Sequence, residues 1–592
     1  MKLLRLKITD PAGFRSLPCG FEHLFRTEWG LQDELAEPED FAPFVCAGPN
    51  GSGKSNLLEA LAAIFFQLEI LRVRRSFLPE VLQNAGEDFS PVAFELDYLI
   101  RVPAEYIQPD GPVWAKVGVW KKPGESVRFL WDNQGDFNAN VYDAFEGGHA
   151  DILMPQYVLG YSSGENEILS LPFFKLRFVQ FDEYWNSLTQ QLSYPGHPET
   201  RLAYLDNGFS QAILLCNLLF QDDTTLQPFR EDVGIEALRQ FRIILKRSIE
   251  VPAKQAAQLT SGDYFSPGYS EDGYFTDNPA ISLSTQTGAY TVNLMRLLEG
   301  DERSSIIEKL KRCATLSYQD EASDTLTLDY WVNEATREAF RDNFDGAPLN
   351  LFQAFQVLLV LNLHSVSDSL KSDIYRSKSY YVSETIPTLA SDERAMRFKN
   401  FYLKKQGVAK PMLLKELSDG EHQLLHSLGL CLLFRNTNSL FLLDEPETHF
   451  NPAWRASFIS RLRDCLQGQA ENSQEMLITT HSPFLISDSK PGKVLVFDKD
   501  SDTGTVSIAH PEYNTLGASI NKITMTTFGK RETIGGRAQS MLEGVRERFE
   551  HGEDVSTLVA ELDREIGDSV EKVLLINTML DRAKQGPEKG HR

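Results

Sequence analysis

Three short apolar runs in this chain each end beside residues suited to chemistry. The run FVCA (44–47) precedes a glycine-rich stretch, LFLLD (440–444) ends in an aspartate, and EMLITT (475–480) ends just before a histidine. Continuous apolar runs of four to eight residues, bounded by turn residues, are typical of buried strands. The pattern therefore predicts an α/β core whose buried strands present polar residues at their carboxyl ends.

Alternating apolar and polar residues run from about 91 to 132. The segments PVAFELDYLIRV, VWAKVGVWKK and SVRFLWD are separated by the turn sequences QPDGP and KPGE. Alternation with such turns predicts an antiparallel β-meander. The opening MKLLRLKITD alternates in the same way and predicts a further strand.

Helical spacing dominates from about 185 to 375. It is clearest in the segments DVGIEALRQFRIILKRSI, TREAFRDNF and LNLFQAFQVLLVLNLHSVSDSLK. No heptad pattern persists over three or four repeats, so we expect a globular, mostly helical lobe and no long coiled-coil arm. The C-terminal region is also predicted to be helical, and its apolar positions from 555 to 574 form a face that must be covered by the rest of the chain or by a second protein.

Composition limits the partners and the compartment. The chain has 592 residues and a formal net charge of −24, which argues against a surface that grips nucleic acid everywhere but leaves a local basic groove open. Its six cysteines lie far apart without a C-x-x-C pair, so they indicate neither a disulfide framework nor a zinc site. No signal peptide is evident and the apolar runs are too short to span a bilayer, so we expect a cytoplasmic protein that does not contact a membrane.

The glycine-rich stretch after the first apolar run matches the pattern G-x-x-x-x-G-K-S. Its glycines let successive N–H groups point at phosphate oxygens, Lys54 adds a charge for the β- and γ-phosphates, and the Ser55 hydroxyl suits a magnesium ligand. We therefore predict that ATP and Mg²⁺ bind here. The predicted nucleotide-binding residues are Gly48, Pro49, Asn50, Gly51, Ser52, Gly53, Lys54, Ser55 and Asn56.

The other two apolar strands supply candidates for catalysis. Asp444 ends its strand where it can hold magnesium beside Ser55. Glu445 follows at once and is suited to act as the general base on an attacking water, the alternative being a solvated acidic strand end. His481 follows the third strand and can contact a γ-phosphate, the alternative being a core histidine.

A Ser-Asp-Gly-Glu turn opens a helix ahead of the aspartate strand, and by itself it indicates an ordinary helix cap. The order of GPNGSGKS, LSDGEHQ, LFLLDEPE and LITTHS resembles that of P-loop ATPases of the ABC class. In that class the turn binds the γ-phosphate held by the opposite subunit, which implies this role for Ser418, Gly420 and Glu421. The resemblance also implies that ATP is sandwiched between two copies and so controls dimerisation.

Two other motifs look functional but fit less well. His422 and His426 have the spacing of a zinc-protease helix, but Gln423 stands where a glutamate is needed. The segment LGYSSGENEILSL (159–171) imitates the signature turn at an earlier place in the chain, and we interpret it as a strand-to-helix connection that could still approach nucleotide.

The motifs and patterns together predict an α/β fold: a P-loop ABC-type ATPase head split by a large, mostly helical insertion, with an antiparallel β-lobe and a helical C-terminal tail. We place the first half of the head, with the phosphate-binding loop and the β-lobe, at 1–184. The insertion is placed at 185–375, the second half of the head at 376–504 and the C-terminal region at 505–592. Either Gln156 or Gln180 is a candidate for the glutamine that links the lobes of such heads.

The form DEPETHFNP and the opening LRLKITDPAGFRSL resemble OLD-like, RecF-like and anti-phage ATPases. The chain is similar to restriction-system-associated AAA-family ATPases, relatives of the subunits in Septu-type and retron-linked defence. This resemblance implies ATP-dependent control of a separate nuclease or toxin subunit. The chain after 500 is too short and too helical for the Toprim nuclease domain of OLD proteins, so we expect no nuclease site in this chain.

Two other functions are compatible with an ABC-type head. A RecF- or SMC-like DNA-maintenance ATPase would need basic residues on its upper face, where the chain offers Arg72, Arg74 and Arg75. The loop 528–537, with Lys530, Arg531 and Arg537, is a candidate for nucleic-acid contact or plain solvated surface.

The aromatic-acidic segment 255–295 is either a solvated loop or a docking site for a protein. A transporter-energising subunit is disfavoured by the large insertion.

Overall fold

The computed structural model describes residues 1–36, 41–73, 78–79, 82, 89–138, 150–163, 169–189, 201–251, 281–283, 290–299, 305–377, 389–466, 474–500, 502–529 and 534–585. The described strands are β1 Lys2–Ile8, β2 Glu22–Leu24, β3 Phe44–Ala47, β4 Phe94–Arg101, β5 Trp114–Lys121, β6 Arg128–Trp131, β7 Tyr157–Ser162, β8 Leu202–Tyr204, β9 Ile235–Lys246, β10 Ser248–Val251, β11 Ile281–Leu283, β12 Tyr290–Asn293, β13 Leu316–Asp320, β14 Thr325–Trp331, β15 Met396–Lys405, β16 Met412–Leu413, β17 Ser439–Asp444, β18 Glu475–Thr480, β19 Val494–Lys499 and β20 Val506–Ala509.

The described helices are α1 Glu28–Ala36, α2 Lys54–Ile70, α3 Ala150–Leu153, α4 Leu171–Thr189, α5 Asn207–Phe220, α6 Leu294–Glu299, α7 Ser305–Cys313, α8 Glu334–Asn343, α9 Pro348–Val360, α10 Asp368–Arg376, α11 Asp419–Phe434, α12 Pro452–Leu466, α13 Pro483–Ser487, α14 Ile520–Thr527, α15 Gly536–Glu550, α16 Val555–Glu565 and α17 Val570–Gln585. No single helix in these ranges is long and apolar enough to cross a membrane. One bent pair of helices, 334–343 and 348–365, is long and apolar enough when the two are taken together, by length and composition only.

A seven-stranded sheet forms the centre of the head, in the order β20-β19-β3-β18-β17-β7-β8. Its strands are parallel except for β20. Alternate residues of one strand, such as Phe44 and Val45, belong to different apolar clusters, which contain α2 on one side and α5 and α11 on the other. Covering both faces requires strands that are apolar throughout, which explains the continuous runs in the sequence.

The predicted β-meander is confirmed. Strands β4, β5 and β6 are joined antiparallel, and β1 and β2 complete a five-stranded sheet in the order β2-β1-β4-β5-β6. Its buried residues, among them Leu6, Leu96 and Val117, share a cluster with Leu61 and Phe65 of α2. The β-lobe therefore packs against the helix that begins at the phosphate-binding loop.

The prediction of a helix in the segment DVGIEALRQFRIILKRSI was wrong, because this segment forms the long strand β9. Ile235, Leu238 and Phe241 are three residues apart and imitate helical spacing, but the pairing of β9 with β15 is irregular near Leu238 and Gln240. Beyond that irregularity the pattern is that of a strand, since Phe241, Ile243 and Leu245 are buried at every second position. The helical prediction for TREAFRDNF (336–344) is confirmed by α8, and that for LNLFQAFQVLLVLNLHSVSDSLK (349–371) by α9 and α10.

Strand β9 belongs to a second five-stranded sheet, antiparallel throughout, in the order β13-β14-β9-β15-β16. A three-stranded sheet, β10-β12-β11, lies within the same part of the chain, so the insertion contains β-sheets in addition to its helices. Strand β8, beyond residue 184, pairs with β7 in the head sheet, and β15, beyond residue 375, pairs with β9. The insertion is thus joined to the head through shared sheets.

The described parts of the C-terminal region are mainly helical, as predicted, although the region begins with strand β20 of the head sheet. Helices α15, α16 and α17 pack around Leu542, Leu558, Leu562 and Met579. One side of α17 remains exposed, with apolar residues Val570, Val573, Leu574 and Leu580.

Candidate nucleotide-binding site

The phosphate-binding loop connects β3 to α2, and its backbone conformation requires glycines. Gly48, Gly51 and Gly53 all have positive φ, of 145°, 75° and 99°. A Cβ on Gly48 would lie 2.3 Å from the carbonyl oxygen of Phe497, so a larger residue does not fit. Helix α2 begins at Lys54, so the N–H groups of its first turn face the loop.

Lys54 and Ser52 lie inside this loop. The Nζ atom of Lys54 donates to the carbonyl oxygens of Gly48 and Pro49, at 3.1 and 2.9 Å. Burial lowers the pKa of Lys54, while the carboxylates of Glu445 and Asp444 act against that shift. The Ser52 hydroxyl is buried and, within the described residues, has no hydrogen-bond partner. A buried hydroxyl and an ammonium that bonds only to its own loop fit a phosphate group as acceptor.

Asp444 is completely buried at the end of β17. Its Oδ1 accepts hydrogen bonds from Ser55 Oγ at 2.7 Å and Thr479 Oγ1 at 2.6 Å, and its Oδ2 accepts one from Ser162 Oγ at 3.3 Å. Burial raises the pKa of Asp444, although the bonds from Thr479 and Ser55 lower it in part. A buried carboxylate that accepts hydrogen bonds from three neutral hydroxyls fits a cation ligand, and Ser55 with Asp444 would hold Mg²⁺ here.

Glu445 has a left-handed backbone, with φ of 49°. Its N–H donates to Oγ1 and the carbonyl oxygen of Thr479, at 3.0 and 3.2 Å. Its Oε1 lies 3.3 Å from Nε2 of His481. The hydrogen bond from His481 lowers the pKa of Glu445, which keeps the carboxylate ionised as a general base must be.

The predicted residues at the carboxyl ends of β3, β17 and β18 therefore come together. These strands are neighbours in the parallel sheet, and ligands of open α/β sheets bind at this edge. Sequence reasoning missed Ser162 and Thr479, which contact Asp444, and Glu447, whose carboxylate accepts a hydrogen bond from Thr480 Oγ1. Their signals were weak: Ser162 ends a strand, and Thr479 and Thr480 precede His481.

Neither of the two candidate glutamines lies at the carboxyl end of a strand of the head sheet. Gln156 precedes β7, at the opposite end of the strand from Ser162, and its Oε1 accepts from the N–H of Asn438 at 2.9 Å. Gln180 lies nine residues into α4, about 13 Å along the helix axis. Ser162 and Ser163 occupy the carboxyl end of β7, and Ser163 N–H donates to the carbonyl oxygen of Asp444 at 3.1 Å.

The signature turn forms the N-terminus of α11. Ser418 Oγ accepts from the N–H of Glu421 at 3.4 Å, and Ser418 N–H donates to the Glu421 carboxylate at 2.8 Å, a reciprocal cap. Glu421 also forms an ion pair with Lys405 of β15. A Cβ on Gly420 would lie 2.7 Å from the carbonyl oxygen of His449, so glycine is required for this close approach.

A cleft of about 450 Å³ opens beside the turn, lined by residues 418–421 together with His449, Asn451 and Trp454. In the described part of the chain, the side-chain hydrogen bonds and ion pairs of Ser418 and Glu421 go to each other and to Lys405. None of these contacts involves the phosphate-binding loop. The turn therefore presents its exposed side to an open cleft.

Several predicted features lie outside the described residues: Gly164 and Glu165 of the imitation signature, Arg74, Arg75, Lys530, Arg531, and most of segment 255–295. His422 and His426 are adjacent on α11, with ring centroids 5.7 Å apart. Burial lowers the pKa of His426 to about 3, which keeps this side chain neutral.

One family model matches part of this chain, and solved structures cover most of it. Residues 307–487 match the family described as "AAA domain, putative AbiEii toxin, Type IV TA system", a span that includes the signature turn, Asp444 and His481 but not the phosphate-binding loop. No curated protein matches the chain.

Two solved structures similar to this chain are SMC heads. One is the SMC head bound to the C-winged helix domain of ScpA, with 10% identity, a TM-score of 0.32, and coverage of 86% of this chain and 97% of that chain. The other is an SMC head domain with a coiled coil and joint derived from Pyrococcus yayanosii, with 13% identity, a TM-score of 0.28, and coverage of 86% and 96%. The strand order and the site geometry of this chain itself carry the assignment of its fold: α/β, with a P-loop ABC-type ATPase head.

Proposed function

We propose that this chain binds and hydrolyses ATP as the ATPase subunit of a bacterial anti-phage defence system. In this proposal it acts in the cytoplasm as an ATP-controlled dimer that senses infection and regulates a separate nuclease or toxin effector. The observation that carries the ATPase part is the convergence of Lys54, Ser55, Asp444, Glu445 and His481 at one edge of the head sheet.

Each of these side chains has a distinct task in hydrolysis. Lys54 and the N–H groups of the loop bind the phosphates of ATP. Ser55 and Asp444 hold Mg²⁺, which when bound neutralises charge on the phosphate oxygens. Glu445 accepts a proton from the attacking water, and His481, at 3.3 Å, orients that carboxylate and can donate a hydrogen bond to the γ-phosphate.

The dimer is supported by the open signature cleft. Ser418 and Gly420 lie at the N-terminus of a 16-residue helix, where N–H groups and the helix dipole favour an anion. Their contacts leave the cleft side of the turn open, so a second copy can bring its bound γ-phosphate to it. Each active site would then combine the loop of one copy with the signature turn of the other.

The defence role is supported by the match to the AbiEii-type AAA family and by the DEPETHFNP segment. The alternative, a RecF- or SMC-like ATPase of DNA maintenance, predicts activity without a neighbouring effector gene. Expression of the chain with its adjacent genes, followed by phage challenge, separates the two. Protection that requires both Lys54 and an adjacent nuclease or toxin gene supports defence, whereas protection unaffected by Lys54→Ala contradicts it.

The experiment that tests the ATPase is Glu445→Gln. We expect ATP binding to persist and turnover to fall by about 10²-fold or more, because the general base is lost while charge and shape change little. A nucleotide-bound dimer should accumulate on size-exclusion chromatography. Glu512→Gln, at an exposed position after β20, is the control and should leave turnover unchanged. Wild-type hydrolysis by Glu445→Gln would exclude it as the base.

A further inference from the structure

The antiparallel sheet β13-β14-β9-β15-β16 has one side that does not face the core. Phe241, Ile243 and Leu245 of β9 pair with Tyr330, Leu328 and Leu326 of β14, and this side is buried. The residues between them in sequence point to the other side. We call that side the basic–aromatic face, and it consists of Gln240, Arg242, Ile244, Lys246, Leu316, Tyr318, Asp320, Thr325, Thr327, Asp329, Trp331, Arg397 and Lys399.

Large apolar side chains stand exposed at one edge of this face. Trp331 is 66% exposed, Leu316 55% and Tyr318 40%. On β13, Leu316 and Tyr318 are two residues apart, which separates them by about 6–7 Å. Leu316 lies opposite Asp329 of β14, and Trp331 is two residues beyond Asp329 on that strand, so Trp331 is a diagonal neighbour of Leu316. They flank β13, an edge strand of this sheet whose residues are mostly exposed. Clustered exposed aromatics of this kind mark interaction sites.

Basic side chains occupy the opposite half of the face. Arg397 pairs across the strands with Ile244, and Lys399 with Arg242. Lys246 lies opposite Thr325. Among the described residues, no carboxylate forms an ion pair with Lys246, Arg397 or Lys399. These unneutralised cations belong to a chain whose net charge is −24, so the face differs in charge from the molecule as a whole.

Arg242 connects the two halves. It makes a two-pronged ion pair with Asp329, with N–O distances of 2.6 and 2.8 Å. Asp329 raises the pKa of Arg242, and the nearby Tyr318 contributes in the same direction. The aromatic edge and the basic half therefore adjoin on one continuous surface. Ile244, Thr325 and Thr327 on this face are buried, whereas Trp331, Leu316 and Tyr318 are exposed.

We propose that the basic–aromatic face binds single-stranded nucleic acid, with bases stacked on Trp331 and Tyr318 and phosphates near Lys246, Arg397 and Lys399. Exposed aromatic rings accept unpaired bases of any sequence, whereas a duplex hides the faces of its bases. Two lysines and Arg397, which form no ion pair with a carboxylate among the described residues, supply the charge that a sugar-phosphate strand requires; the Arg397 guanidinium also donates to the carbonyl oxygen of Ser391. This site is separate from the nucleotide site and does not depend on ATP hydrolysis.

The test measures fluorescence anisotropy of labelled oligo-dT and oligo-rU of about 20 nucleotides, and of a hairpin duplex, titrated with the full chain. We expect the single strands to bind more tightly than the duplex. Trp331→Ala and Tyr318→Ala should each weaken binding at least about fivefold, because each removes a stacking surface. Trp331→Phe keeps a ring and should stay within about twofold of wild type. Leu130→Ala, an exposed apolar residue of the β-lobe, is the matched control.

The charges are tested separately by salt dependence. Lys246→Glu with Lys399→Glu should weaken binding and reduce the slope of log K against log salt by about 1.4, since each lysine contributes about 0.7 on a single strand. Lys122→Glu, an exposed lysine of the β-lobe, should leave the slope unchanged. Every variant should retain the wild-type melting temperature and ATPase rate, which shows that the fold is intact.

Tighter binding of oligo-rU than of oligo-dT would support the site and indicate a preference for RNA. Equal binding of the two would also support the site and indicate that it binds single-stranded RNA and DNA alike. Three results would overturn it: no binding of single strands at low salt, a preference for the duplex, or affinity unchanged by both the Trp331 and the lysine variants. Pairing of a protein strand with the β13 edge, without any nucleic-acid binding, would likewise assign this face to a different partner.

Discussion

In the seven-stranded sheet every residue of β3, β17 and β18 is buried, whereas four of the five residues of β13, in the antiparallel sheet, are exposed. The first sheet is covered on both sides, so polar chemistry is confined to the ends of its strands. The second sheet has an open side, so functional groups can spread across a face. The comparison suggests that one sheet carries catalysis and the other recognition.

The sharpest test of the closed sheet combines two variants. Lys54→Ala should abolish nucleotide binding in its own copy, and Ser418→Arg should block the cleft offered to the other copy, so that each alone loses about 10²-fold or more in ATPase rate. Mixed dimers contain one site with an intact loop and an intact turn. We expect partial recovery of ATPase activity on mixing.

The control for Ser418→Arg is Ser519→Arg. Ser519 also caps a helix, α14, by accepting from the N–H of Lys522. Loss of that cap should cost about 1 kcal/mol of stability without loss of ATPase activity. If Ser418→Arg behaves in the same way as Ser519→Arg, the signature turn is only a cap and ATP is not shared between copies.

The two sides of the open sheet should respond differently to truncation. Phe241, on the buried side, stacks on Tyr330 with ring centroids 4.4 Å apart. Phe241→Ala should reduce the free energy of unfolding by about 3–5 kcal/mol, and Trp331→Ala on the exposed side by about 0.5 kcal/mol or less. Urea unfolding followed by circular dichroism measures both. Similar losses would show that the exposed side is covered and contradict the comparison.

This difference between the sheets also explains what could be predicted from the sequence. Lys54, Asp444 and His481 follow uninterrupted apolar strands, and such strands have a pattern that no amphipathic helix shares. The half-open β9 was mistaken for a helix because Ile235, Leu238 and Phe241 recur at three-residue intervals across an irregular pairing. Periodicity alone cannot reveal that irregularity, since it arises from the partner strand β15.

The site shows the same division. Ser55 and Asp444 were predicted because each belongs to a local motif. Ser162 and Thr479 were not, because they reach Asp444 only through the order of β7, β17 and β18 in the sheet. Strand order is a property of the whole fold and leaves no mark on the residues that it brings together. The dimeric use of the signature turn stays a prediction.

The smallest expected effect concerns Glu447, a buried carboxyl at the edge of the closed sheet. Burial raises its pKa from 4.5 to about 7. The folded state therefore holds this proton more tightly than the unfolded state, so the stability that it contributes is complete below pH 4.5 and is lost as the pH rises toward 7. Between pH 5 and 7 we therefore expect the wild type to lose about 1–3 kcal/mol of unfolding free energy relative to Glu447→Gln. The loss should appear as a lower melting temperature of the wild type.

Glu512→Gln, at an exposed position, should follow the wild type at each pH. Parallel curves for the wild type and Glu447→Gln would show that Glu447 ionises in the folded protein as it does in the unfolded chain.

The left-handed backbone of Glu445 has a consequence for how this chain can change over generations. A non-glycine residue at a φ of 49° is strained by roughly 1–2 kcal/mol, and a glycine there would relieve that strain. The folded state alone therefore favours replacing this glutamate, and under the proposed function selection for turnover retains it. A lineage that kept ATP binding but no longer needed hydrolysis should drift toward glycine or asparagine at this position and gain stability as it lost activity.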